Sequence, residues 1–279
     1  MSILSTLPNF EEPLIEAIQA VQKAADHVVT TAINNFPIQV KVKPDATLVL
    51  NLDLELQKIL LQNLSKLPVV SEEIPGTHIT IGTQSDYFVV DPLDGTTSAK
   101  RFLTALNSQV GFGPMVGVVK AGKIVGVVFF NAPQRKYFVA QQGKGCFTFN
   151  YGDVTGETVC NIKADCSLPL TSCAVLFYAG KKGELELINK LKLSDAVENF
   201  YRFGGFANDC SRLAQGLEQV QIQFSVKAWD LPAALLSAES GLDVRIDPFG
   251  ANVSICDWIV QNENPLITAP NFDMIRRYF

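Results

Sequence analysis

The sequence predicts a layered α/β fold, in which a half built from helices and an antiparallel sheet is followed by an α/β half. Three observations predict it. The chain opens with two long segments of helical apolar spacing. Short β-rich stretches separated by tight turns then run to about residue 153. From there strand and helix signals alternate to the end. No low-complexity linker separates the halves, which are expected to span residues 1–153 and 154–279.

Each element has its own justification. Over residues 11–36, Leu14, Ile18, Val21, Ala25, Val28 and Val29 recur at helical spacing, so one long amphipathic helix is expected. Over residues 52–64, Leu52, Leu56, Ile59, Leu60 and Leu64 share one face of a second helix. The apolar runs ending at Ser71 and at Asp91 read as strands, followed by strands at 110–120, 123–131, 136–141 and 145–150. Ala121-Gly122 makes a hairpin turn between two of them. In the second half, elements are expected at 173–177, 183–191, 206–215, 220–226, 232–240, 266–268 and 272–278.

Composition excludes several classes of function. The 279 residues carry a net charge of −5, which argues against a nucleic-acid polymer as the main partner. The N-terminal stretch has no basic region leading a long apolar core, so it does not read as a signal peptide. Apolar runs are interrupted every few residues, well short of a membrane span, so no membrane partner is expected. The six cysteines (146, 160, 166, 173, 210 and 256) form no CxxC pair, so reduced thiols and a cytoplasmic location are expected rather than zinc or a disulfide framework. Only His27 and His78 are present, which leaves little room for histidine chemistry.

The chemistry concentrates in YFVVDPLDGTT, residues 87–97. An apolar strand runs into Asp91, Pro92 fixes a turn, Asp94 adds a second carboxylate, and Gly95 lets the backbone bend. A helix could begin at Ser98, and helix N-termini offer unpaired N–H groups to an anion. Two like charges this close cost stability unless a cation lies between them. Two carboxylates, a threonine hydroxyl and an anion nest together suit Mg²⁺, which takes oxygen ligands and shares its shell with a substrate phosphate. An EF-hand loop fails here, because its third and twelfth positions would be Leu93 and Phe102. The Asp-x-Asp-Gly-Thr spelling of haloacid-dehalogenase phosphatases places its acids two apart, whereas here they are three apart. The plain alternative is an Asx-turn at Asp94 with Asp91 solvated. Two further acidic strand ends weigh against it: Glu72-Glu73 after Ser71, and Asp230 at a strand-to-helix junction. Taken singly, these would be a solvated pair and a helix cap. Together they line one crevice at a sheet edge.

At these residues the chain resembles the inositol monophosphatase superfamily of Mg²⁺-dependent, lithium-sensitive phosphomonoesterases. The pattern Asp-Pro-[Leu/Ile]-Asp-Gly-Thr is met at residues 91–96, the Glu-Glu at Glu72-Glu73, and the Trp-Asp with following alanines at residues 229–234. Weaker marks are Gly126-Val-Val, Gly143-Lys-Gly-Cys146, the Gly-rich helix start within 202–215, and Asp247-Pro-Phe-Gly250.

The resemblance implies an αβαβα sugar-phosphatase fold and two or three Mg²⁺ ions per active site. Glu72, Asp91, the Leu93 carbonyl and Thr96 would hold the first ion. Asp91, Asp94 and Asp230 would hold the second. Glu72 and Thr96 would orient and deprotonate the attacking water, and Asp53 would hydrogen-bond Thr96; read alone, Asp53 is a polar residue in a helix's first turn. The backbone at Gly95, Thr96 and Thr97 would cradle the phosphate, and Gly204 and Gly205 would lie in the substrate loop, where the family's Gly-Ser loses its hydroxyl. The implied substrate is a small phosphate monoester of the inositol monophosphate type. A 3′(2′),5′-bisphosphate nucleotidase is the alternative, favoured by Lys43-Pro-Asp-Ala-Thr47 and the Ser-Glu-Glu spelling. Thr97-Ser-Ala-Lys100 departs from the Lys-Glu-Phe usual in that branch, and the chain is longer than either branch within 100–114. A non-catalytic metal-binding scaffold is the second alternative, opposed by the presence of every expected ligand. Family members are commonly dimers, which carries over as an expectation of a homodimer.

Overall fold

The structure is a computed structural model that describes residues 6–33, 37–43, 48–74, 86–105, 110–165, 167, 174–178, 199–201, 203–223, 226–245 and 266–269. The chain begins with α1 (Glu12–Ile33), β1 (Val40–Val42), β2 (Leu48–Leu50) and α2 (Asn51–Asn63). Strands β3 (Val69–Ser71) and β4 (Asp86–Asp94) lead into α3 (Thr96–Ala105). A meander follows: β5 (Gly113–Lys120), β6 (Lys123–Asn131), β7 (Lys136–Gln141), β8 (Gly145–Asn150) and β9 (Cys160–Ile162). The second half supplies β10 (Ala174–Tyr178), β11 (Asn199–Tyr201), α4 (Phe206–Ala214), β12 (Val220–Gln223), a 3₁₀ turn (Leu231–Ala233), α5 (Ala234–Glu239), β13 (Asp243–Arg245) and β14 (Leu266–Ala269).

Among the described residues, β3 to β9 form one seven-stranded sheet in chain order. Its β3 runs parallel to β4, and every later pair is antiparallel. Successive side chains of a strand point to opposite faces, and β4 shows what that builds. Phe88 and Val90 join one core with Leu14, Ile18 and Val21 of α1 and Leu52, Leu56 and Leu60 of α2. Tyr87 and Val89 join a second core with Phe206, Ala207 and Cys210 of α4 and with Leu231 and Leu236. The sheet is therefore buried on both faces, which is why β4 and β5 read as almost unbroken apolar runs.

Helices α4 and α5 also touch β12 and β13 of a five-stranded sheet ordered β11-β10-β12-β14-β13. Helices, sheet, helices and second sheet thus stack in layers, the α/β class that the sequence predicts. No helix among the described residues is long and apolar enough to cross a membrane.

The structure refines several boundaries. Strand β4 does not stop at Asp91 but continues to Asp94 through a register shift, in which Asp91 pairs with Met115 and Asp94 with Gly113. Pro92 has no N–H to donate, so the ladder must be irregular there. Helix α3 starts at Thr96 rather than Ser98, because the N–H of Ala99 already bonds the carbonyl of Gly95. Strand β5 starts at Gly113 rather than at 110. The short strands β1, β2, β9, β11 and β13 are additions to the sequence reading. Expectations at 183–191, 272–278 and 247–250, and those on Cys166, Cys173 and Cys256, lie outside the described residues. Cys146, Cys160 and Cys210 are free thiols.

Candidate active site

The register shift in β4 turns two carboxylates inward. A bulge re-aims side chains that a regular pleat would send to opposite faces. Asp91 accepts a 2.9 Å hydrogen bond from the N–H of Leu93, closing a tight turn over Pro92. Asp94 is seated on the N-terminus of α4: its Oδ1 accepts from the N–H of Phe206 (2.8 Å), and its Oδ2 from those of Ala207 (3.1 Å) and Asn208 (3.4 Å). That close approach requires Gly205, whose φ is +100° and where a Cβ would stand 2.9 Å from Asp94 Oδ2. Gly204 offers its carbonyl to Ser98 Oγ of α3 at 3.4 Å.

Asp230 arrives from the far end of the chain. The 3₁₀ turn it precedes packs on β5 at Gly117, where a Cβ would lie 2.4 Å from the Pro232 ring. Its carboxylate does not cap that turn; Oδ2 lies 3.4 Å from the N–H of Lys227. The structure so gathers Asp91, Asp94 and Asp230, with one oxygen of each within 4.8 Å of the others. Burial, then the charge of their acidic neighbours, holds Asp91 and Asp230 well above the usual carboxylate range. Burial also raises Asp94, to about 6, against the pull of the three N–H groups it accepts.

Glu72 lies just past β3, beside Asp91, because the parallel register pairs Ser71 with Val90 and the N–H of Glu72 bonds the Val90 carbonyl. Its carboxylate stands outside the three-acid cluster but acts on all three members through its charge. Lys43 Nζ bonds Glu72 Oε1 at 2.8 Å and Glu73 Oε1 at 2.5 Å. Burial pulls the Lys43 ammonium down, but these bonds and charges more than offset it, and the net shift is upward. Nothing local in the sequence shows that Lys43 reaches acids 29 and 30 positions away.

Thr96 and Asp53 form the third part. Asp53 sits in the first turn of α2 and accepts from the N–H of Leu50 at 2.9 Å, capping its own helix. Its other oxygen lies 3.1 Å from Thr96 Oγ1, which is also 3.2 Å from the Leu93 carbonyl oxygen. One hydroxyl proton is therefore shared between two acceptors. Burial raises Asp53 to about 7, with Glu73 and Glu72 adding to the shift and the Leu50 and Thr96 hydrogen bonds opposing it. Gly95, at φ +79°, ends the strand so that α3 can begin with its first-turn N–H groups beside this cluster.

A buried polar chain lies behind Asp94. Asn131 Nδ2 donates to Asn208 Oδ1 at 3.2 Å, and Asn208 Nδ2 to Asp209 Oδ1 at 3.3 Å. Gly111 crosses it so closely that a Cβ would meet Asn208 Oδ1 at 2.0 Å. Asparagines at a strand end and a helix start carry no sequence signal of such pairing.

A divalent cation fits this donor set. The acids supply hard oxygen ligands, they are buried or nearly so, and they are held together at a cost that a bound cation would relieve.

The comparisons agree with that chemistry. The profile of the inositol monophosphatase family matches residues 11–244. The inositol-1-monophosphatase of Caulobacter vibrioides is 28% identical over 232 residues, covering 80% of this chain and 85% of its own. The 3′(2′),5′-bisphosphate nucleotidase CysQ of Aggregatibacter actinomycetemcomitans is 25% identical over 274 residues, covering 94% and 91%. The crystal structure of the extragenic suppressor protein suhB of Bartonella henselae superposes with a TM-score of 0.76 at 25% identity, covering 95% and 96%. A layered α/β fold, a buried cluster of Asp91, Asp94 and Asp230, and a family match over most of the chain lead to one statement: the protein belongs to the inositol monophosphatase family, enzymes that hydrolyse phosphate monoesters.

Proposed function

We propose that the protein is a Mg²⁺-dependent phosphomonoesterase acting on a small phosphate monoester of the inositol monophosphate type. The observation that carries this reading is the convergence of Asp91, Asp94 and Asp230 beside a Thr96–Asp53 pair at the start of α3. Asp91, Asp94 and Asp230 would hold one cation. Glu72, Asp91, the Leu93 carbonyl and Thr96 would hold another once Lys43 releases Glu72. When bound, such ions supply Lewis acidity, polarising the phosphoryl oxygens and offsetting charge on the leaving oxygen.

The chain's own groups do the rest. The N–H groups of Gly95, Thr96 and Thr97 offer donors to the phosphoryl oxygens. Thr96 orients the attacking water, accepting its proton at Oγ1 while passing its own to Asp53. Burial holds Asp53 above the usual carboxylate range in the metal-free protein, which suits it to take a proton and return it. Gly204 and Gly205, which lead into α4 beside Asp94, would face the alcohol side of the substrate without offering a side chain of their own.

A 3′(2′),5′-bisphosphate nucleotidase is the second reading, favoured by the length over which the CysQ relative aligns. Phosphate release from inositol 1-phosphate and from adenosine 3′,5′-bisphosphate, each with Mg²⁺ and with excess EDTA, separates the two. Faster release from the inositol ester supports the first reading, and faster release from the nucleotide the second. Lithium should inhibit either activity. Release undiminished in EDTA would overturn the metal dependence, and no release from any monoester would leave a binding scaffold. Asp230→Asn should keep or raise the metal-free melting temperature, yet lose most of its rise with Mg²⁺ together with turnover.

A further inference from the structure

Away from the acid cluster, the outer corner of the seven-stranded sheet carries an open surface cavity of about 530 Å³, most of whose lining residues are exposed. Register explains why it is there. Lys136 pairs with Asn150, and Thr148 pairs with both Phe138 and Cys160, so these side chains share the face on which Phe138, Ala140 and Cys146 meet α4 and α5. The helices cover the apolar part of that face. Beyond the end of α4, marked by Gln215, the face turns polar and opens into the cavity.

The lining holds two ammonium groups, Lys136 and Lys163, together with neutral polar residues that include Asn150, Asn161 and Gln215. Thr158 also lines it, with its hydroxyl bonded to the Asp153 carboxylate, which lies behind it and is held by donors of its own turn. Among the described residues neither lysine has an ion-pair partner. These two ammoniums are the charged groups that line the recess, and such groups attract anions. Its volume falls within the roughly 300–1,000 Å³ typical of small-molecule sites, where a few convergent polar groups set orientation. None of the acids of the catalytic cluster lines it.

We propose that this cavity is a second small-molecule site, one that takes a phosphate group, free or carried on a small ester, through Lys136 and Lys163. The phosphate oxygens accept charge-assisted hydrogen bonds from the two ammoniums, and the neutral side chains meet whatever is esterified to it.

Cys160 lies in the lining and is exposed, so its thiol reports occupancy of this cavity alone. The test is the rate of Cys160 alkylation by iodoacetamide, read peptide by peptide in the intact protein. Excess EDTA is present throughout, so that no bound cation recruits phosphate to the acid cluster. Inorganic phosphate and glucose 6-phosphate are the probes, with sodium chloride at matched ionic strength as the control. Alkylation should slow about threefold at a probe concentration about twice its dissociation constant, as mass action requires. The slowing should be absent from the Lys136→Gln, Lys163→Gln double variant, whose Mg²⁺-dependent turnover should match wild type. Protection by phosphate itself identifies the free ion as sufficient; protection by glucose 6-phosphate alone shows that the cavity also reads the organic part. No slowing, slowing matched by chloride, or slowing that persists in the double variant would overturn the proposal.

Discussion

Asp153 and Asp91 are the same residue used in opposite ways. Asp153 sits in a surface turn after β8 and accepts from the hydroxyl and N–H groups of Thr158 and Thr155 and from the N–H of Gly156. Those donors, the Thr158 hydroxyl foremost, hold it well below the usual carboxylate range. Asp91 accepts one N–H bond, is buried, and faces Glu72, Asp94 and Asp230, so it is held well above that range. A carboxylate surrounded by donors is complete and serves the fold. A cluster of carboxylates with too few donors is incomplete, and what completes it is a proton or a metal ion. The difference between the two acids is one of environment rather than of residue type.

The comparison can be broken by substitution. Asp91→Asn should reduce turnover by roughly 10²–10³-fold or more, the scale on which preorganised electrostatic contacts act. Its metal-free form should melt at a higher temperature than wild type, because one charge of the repelling set is gone. Turnover near wild type would place Asp91 outside the chemistry. A smaller effect is expected from Asp53→Asn, about 10²-fold in kcat, the low end of what a positioned proton acceptor contributes. The Mg²⁺ concentration for half-maximal rate should move little, and a large shift there would make Asp53 part of the metal shell instead.

Gly205→Ala sharpens the account of Asp94. The new Cβ would need to sit 2.9 Å from Asp94 Oδ2 at a φ of +100°, so a loss of about 1–3 kcal/mol of stability and weaker Mg²⁺ binding are expected together. Lost stability with unchanged Mg²⁺ binding would show that α4 does not seat Asp94. Asp153→Ala should have the smallest effect: a lower melting temperature, with turnover and Mg²⁺ response unchanged.

Much of this was legible in the sequence, and the reasons are physical. Strands β6, β7 and β8 fall at the bounds that the sequence predicts, because tight turns punctuate them and their apolar runs have nowhere else to go. The acids Asp91 and Asp94 were legible because they end an apolar run, where a charge is otherwise expensive. Asp230 was legible from its Trp-Asp spelling and not from a strand end, since β12 stops at Gln223 rather than 226. Strand β1 was not, since all three of its residues are exposed and leave no alternation to read. The helix start at Thr96 was missed because two β-branched threonines argue for strand, while the turn at Gly95 decides otherwise. Lys43 and the Asn131–Asn208 contact depend on long-range register, which a single sequence does not display.

If protons and metal ions complete the same buried cluster, melting curves across pH will show it. Asp53 and Asp94 have folded values of about 7 and about 6, against an ordinary 3.8, and Asp91 and Asp230 are raised as well. An acid raised by folding contributes stability that is full below its unfolded value and is lost as pH rises through its folded value. Asp153, lowered by folding, acts in the opposite direction only at more acid pH, where its unfolded form takes up protons. Between pH 8 and pH 5 the metal-free protein should therefore become more stable as pH falls, by up to about 1.4 kcal/mol per pH unit for each titrating group. Added Mg²⁺ should raise the melting temperature strongly at pH 8 and much less at pH 5, where protons compete for the same oxygens. A metal-free protein that loses stability from pH 8 to pH 5, or a Mg²⁺ shift equal at both, would mean that protons and metal ions do not share the cluster.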